Sequence, residues 1–200
     1  MPPNLPAFAL FAVATSVTPG PNNIMVASSA ASNGVRATVP QMLGISLGFG
    51  AMVVIVGLGV AGPLAGHPGL HAALRWVGAA WIVWIAWHIA RAGSVALPDG
   101  QGRVTPMGFM GAALFQWINP KAWILAVATT ATYASPERGL AGQILAFAAL
   151  FAVLSVPCTL LWSLLGAGAG RVLRSPAQFR AFNAVMAALL VLSVLPSLVH

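Results

Sequence analysis

Apolar runs near or beyond 18 residues recur along these 200 residues with almost nothing charged inside them. A helix of that length and character crosses the hydrocarbon of a bilayer. Asp, Glu, Lys and Arg make up only 6% of the chain and hydrophobic residues 59%, whereas an average soluble domain is about 25% charged. So few charges cannot cover the surface of a soluble fold, and the sequence reads as an all-α integral membrane protein. The strict apolar/polar alternation of an outer-membrane barrel is absent.

Six spans are expected: about Leu5 to Ser32, Val39 to Leu64, Leu70 to Ile89, Pro106 to Tyr133, Leu140 to Leu165 and Phe182 to Val199. The start, Met1-Pro2-Pro3-Asn4, lacks the charge of a cleaved signal peptide, so the first span reads as retained. The chain is expected to form one transmembrane domain whose halves, about 1–95 and 105–200, flank the polar loop from Arg91 to Thr105.

Two spans are interrupted. Thr18-Pro19-Gly20-Pro21-Asn22 breaks the first and Asn119-Pro120-Lys121 breaks the fourth. Proline removes a backbone donor and clashes with the carbonyl one turn back. The freed groups then need protein, water or a ligand as partner. Overlaying the halves with an offset of 101 puts Pro19 on Pro120 and Val26 on Val127. Each half has a broken span followed by two further spans. Three is an odd number, so the second copy enters the membrane from the opposite side. Two inverted three-helix repeats follow, with their breaks facing one another near mid-membrane. Matched breaks of this kind point to a transporter's binding site.

Arginines orient the reading. Arg36, Arg91, Arg103, Arg171, Arg174 and Arg180 fall in the loops after spans one, three and five. Arg75 and Arg138 lie on the other side. The bias places the odd-numbered loops inside and both termini outside. The net charge of +7 is therefore topological, and no nucleic-acid partner is expected.

Lys121 sits mid-span with apolar residues on both sides. A lysine there costs about 3 kcal/mol on insertion scales and is a functional candidate. It could meet a substrate carboxylate, or it could bond exposed carbonyls of the opposite break. Asn22 and Asn119 offer amides, and Gln116 shares a helix face with Asn119. The two acids, Asp99 and Glu137, lie in loops. No buried acid waits for a cationic side chain, which favours a neutral amino acid or similar zwitterion and weakens a divalent-cation substrate. His67 and His71 lack a third ligand, so no metal is expected, nor any cofactor. One cysteine, Cys158, cannot run disulfide exchange, and no nucleophile-base pair appears; the chain is not expected to be an enzyme. Gly44 and Gly48 form a close-contact helix face, whereas Gly166, Gly168 and Gly170 read as a helix stop and flexible joint.

Thr18-Pro19-Gly20-Pro21-Asn22, Gly34-Val35-Arg36, Gly44-Ile45 with Gly48, and Phe115-Gln116-Trp117-Ile118-Asn119-Pro120-Lys121-Ala122 resemble, in order, the LysE/RhtB family of amino-acid exporters. The resemblance implies a multi-pass protein of the bacterial inner membrane that exports amino acids, with the proton as coupling ion. The alternative is an exporter of another small solute or cation. Phe49 stands where many members carry a polar or acidic residue, which argues against a cationic substrate. The substrate site expected is Thr18, Pro19, Gly20, Pro21, Asn22, Gln116, Asn119, Pro120 and Lys121. Whether the unit is a monomer or a homo-oligomer is open at this level.

Overall fold

The computed structural model describes residues 5–60, 68–91, 105–134, 139–173 and 175–192. These residues are helical throughout apart from short connections. Asp99, Glu137, His67, Arg103, Arg138 and Arg174, and the expected ends of spans two and six, lie outside them.

Helix α1 (Leu5–Val17) and helix α2 (Pro21–Asn33) are the two pieces of the first broken segment. Pro19 cannot continue α1, and Pro21, with its preset φ, opens α2 at the first helical position. Gly34, at φ 79°, turns the chain into α3 (Val35–Ile55), which runs on through a π-helical turn, Val56–Val60. Helix α4 is Pro68–Arg91. The second broken segment is α5 (Phe109–Phe115), a 3-10 turn at Gln116–Ile118, and α6 (Pro120–Tyr133). Helix α7 is Leu140–Val172 and α8 is Pro176–Leu192.

Among the described residues, two helices, Val35–Gly59 and Leu140–Val172, are by themselves long and apolar enough to cross a membrane. Helix α7 shows which solvent it faces. Its buried side carries Ser155, Thr159 and Ser163, while Val153, Leu161, Leu164 and Leu165 point outward. A soluble helix would be the other way round. Trp81 and Trp84 on α4 are also exposed and stack on each other.

Helices α3 and α7 cross antiparallel along a polar seam. Ser155 Oγ donates to Ser46 Oγ at 2.8 Å, and Thr38 Oγ1 and Ser163 Oγ share a hydrogen bond of 2.8 Å. Helix α5 lies in the Gly44/Gly48 groove of α3: a Cβ on Gly44 would sit 2.2 Å from Phe109 O. The expected contact face is thus real.

The expectation of a joint at Gly166 to Gly170 fails. Helix α7 continues to Val172, and α2 packs against it through these glycines. A Cβ on Gly166 would be 2.1 Å from Ala27 O, and one on Gly170 2.2 Å from Ala31 O. The glycines are there for close approach, since only a residue without Cβ admits a neighbouring backbone this near. Helix α2 is almost wholly buried as a result. The fifth span accordingly ends seven residues beyond Leu165.

At the end of the bundle away from Arg36 and Arg171, Phe8, Phe11, Tyr133, Phe147 and Phe151 form a continuous aromatic cluster. Phe49, the residue that departs from the usual polar position, packs edge-on against Phe151 at 4.9 Å between ring centroids. It is a core side chain here, 7% exposed.

Candidate functional site

The two breaks meet. Lys121, the second residue of α6, extends its ammonium across to the first break, where Nζ donates to the carbonyl of Thr18 at 3.1 Å and to that of Pro19 at 3.5 Å. These carbonyls lie past the end of α1, so no helical N–H can claim them. A Cβ on Gly20 would fall 3.0 Å from Lys121 Nζ, so a larger residue there would push the ammonium off its seat.

A second crosslink joins the breaks. Asn22 Nδ2 donates to Gln116 Oε1 at 2.9 Å, and Gln116 Nε2 donates back to Asn22 Oδ1 at 3.2 Å. Gln116 also donates to Ala112 O, which fixes its amide in that orientation. A double-mutant cycle on Asn22→Ala and Gln116→Ala, read by thermal unfolding in detergent, is expected to give a coupling of about 1 to 2 kcal/mol. Strictly additive losses would mean the two amides do not act as a pair.

Each break presents a helix N-terminus. Asn119 Oδ1 accepts from Lys121 N at 3.1 Å and caps α6. Gly20 gives α2 no side-chain cap. The first α2 amide with a carbonyl one turn back is Ile24 N–H, bonded to Gly20 O, so the amides of Asn22 and Asn23 precede the helical ladder. Two N-termini and an ammonium make the centre a place for an anion.

A cavity of about 50 Å³ lies between the breaks. That is room for a few waters and less than a bound amino acid needs. Of the nine expected residues, Gly20, Pro21, Asn22, Gln116, Asn119 and Lys121 line it. Thr18 and Pro19 contribute carbonyls instead. The Thr18 hydroxyl bonds back to Ala14 O and is not offered to a ligand. Pro120 serves only to start α6.

Several partners fall outside the residues expected to form the site. Asn23 Nδ2 holds the carbonyls of Ser16 and Thr18 at 2.7 and 3.0 Å. Trp162 Nε1, on α7, donates to Val17 O at 2.9 Å. Ser155 and Thr159 of α7 supply hydroxyls to the cavity wall. Their spacing, with Ser163, places three hydroxyls on one face of an apolar helix, a pattern that identifies the inward face. His88, by contrast, is remote and bonds Trp84 O near the end of α4. Cys158 is a free, buried thiol.

Comparison with known proteins bears on this geometry. The family model described as LysE type translocator matches residues 13–194. The chain is 34% identical over 191 residues to the cysteine/O-acetylserine efflux protein of Escherichia coli strain K12, covering 95% of each chain. It is 32% identical over 188 residues to the protein of the same description from Salmonella typhimurium strain LT2, covering 94% of this chain and 93% of the relative. No solved structure matches it. The match encloses both breaks and every residue of the cavity wall, and the chain belongs to the LysE type translocator family of membrane proteins.

Proposed function

We propose that this protein exports small neutral amino acids across the bacterial inner membrane, in exchange for protons, through a site made by the two helix breaks. The observation that carries the proposal is the ammonium of Lys121 seated on the Thr18 and Pro19 carbonyls beside two helix N-termini. That seat suits any ammonium. A substrate amino group takes it in place of Lys121, and the released Lys121 together with the α2 amides receives the substrate carboxylate. The named activity of the efflux relatives, on cysteine and O-acetylserine, supports a small polar neutral substrate. Ser155 and Thr159 make the α7 side of the cavity wall polar, which suits such a side chain.

We read the helices as six spans in two inverted repeats. In that reading α1 with α2 corresponds to α5 with α6, α3 to α7, and α4 to α8. The antiparallel α3–α7 crossing supports it, because equivalent spans of an inverted repeat run in opposite directions. Both crossings of a half-helix on the other half's long helix, α1 on α7 and α5 on α3, are present and extensive.

Lys121 is the titratable group on the cavity wall, so it is the proposed proton carrier. Arginine keeps the charge and does not release its proton. In reconstituted vesicles, Lys121→Arg is expected to retain exchange of one amino acid for another and to lose accumulation driven by an imposed pH difference. Wild-type efflux indifferent to that pH difference would remove proton coupling from the proposal.

A further inference from the structure

A second cavity, of about 580 Å³, opens at the arginine end of the bundle. Its size is that of a small-molecule site. It is lined by the ends of α2 and α7 and the starts of α3 and α8, including Ser32, Arg36, Arg171 and Ser175. Two features give it a positive interior. Arg36 and Arg171, from opposite halves of the chain, both face it. The 21-residue helix α3 begins there with Gly34 as its cap and no side-chain acceptor on its first amides. Ser32 lines it as well, with its Oγ turned away from the open space.

Helix α2 connects this cavity to the central one. Residues 20–23 line the central cavity and residues 30–33 the arginine-end cavity. The ten-residue offset along α2 puts them about 15 Å apart. Between them the Gly166–Ala27 contact seals α2 on α7, and Gly170 meets Ala31 at the wall of the arginine-end cavity.

We propose that the arginine-end cavity is a loading site, where Arg36, Arg171 and the α3 amides capture the carboxylate of an outgoing amino acid before α2 and α7 part. This inference rests on the export reading and adds a second station to it. Arginine suits the task because its guanidinium forks onto a carboxylate. Both arginines are exposed at the membrane surface, so their attraction is screened by salt.

The test is export kinetics of purified protein in vesicles, with serine as substrate. The combined Arg36→Gln and Arg171→Gln variant is expected to raise KM about tenfold with maximal rate kept within about twofold, and to flatten the salt dependence of KM. The Arg36→Lys and Arg171→Lys pair keeps the charge that sets topology and is expected to raise KM only about threefold. An unchanged KM in the glutamine variant overturns the loading site while leaving export intact. A KM effect seen in vesicles with anionic lipid but absent in purely zwitterionic vesicles also overturns it, since the anion held would be a lipid phosphate. Wild-type protein that releases no serine above empty vesicles overturns the export reading itself.

Discussion

Lys121→Ala is expected to reduce amino-acid export about 10- to 150-fold with the protein still inserted and monodisperse in detergent. Two consequences act together. The seat on the Thr18 and Pro19 carbonyls loses the ammonium that occupies it between cycles. The centre also loses the cation proposed to receive the substrate carboxylate, and a charge-assisted hydrogen bond of that kind is worth about 1.5 to 3 kcal/mol. The fold has other ties at the breaks, namely the Asn22–Gln116 pair across them and Trp162 of α7 on Val17 O, so assembly should survive. The check is efflux from vesicles holding equal amounts of each variant. Export within a factor of about three of wild type would mean that Lys121 only braces the breaks.

The second large effect is structural. Gly166→Val and Gly170→Val are each expected to disrupt the bundle, lowering the thermal midpoint sharply and cutting the yield of folded protein. A Cβ at either position meets the Ala27 or Ala31 carbonyl well inside contact distance, and backbone cannot step aside as a flexible side chain can. Overpacking of this kind costs about 1 to 3 kcal/mol or more, and the helix displaced is the buried α2 that carries half of the site. Gly168→Val is the control. Nothing lies within 4 Å of its Cβ position, so it should fold and export as wild type. Equal damage from all three substitutions would restore the reading of this segment as a flexible joint.

Those three glycines also mark where sequence reasoning stopped. Glycines at alternate positions near a span's end suit a helix stop as well as a seam of close contacts. What separates the two is the partner, and Ala27 and Ala31 lie about 140 residues away in sequence. The breaks were legible because proline and glycine act on their own backbone, whatever packs around them. Lys121 was legible because a charge in an apolar run needs a reason. Its two possible partners, a substrate carboxylate or the opposite break, could not be ranked without geometry, and the structure seats it on the opposite break. Asn119 was read as an amide offered to substrate, yet its Oδ1 is committed to capping α6. Ser155, Thr159 and Trp162 escaped notice because single hydroxyls and tryptophans are common in membrane helices, and only the fold brings them to the breaks. The arginine-end cavity escaped for a related reason. Arg36 and Arg171 each explain themselves as topology signals, and only the fold sets them around one space.

The shared ammonium seat makes one demand that few other arrangements would make: substrates must carry both an amine and a carboxylate, and their side chain must be uncharged. Efflux from proteoliposomes of the purified protein measures this directly, with serine, the matching acid that lacks the amine, and lysine each loaded in turn. Serine is predicted to leave at least about ten times faster than either of the others, and the difference to vanish in Lys121→Ala. Efflux of the amine-free acid at the serine rate, or of serine no faster than from empty vesicles, would contradict the account.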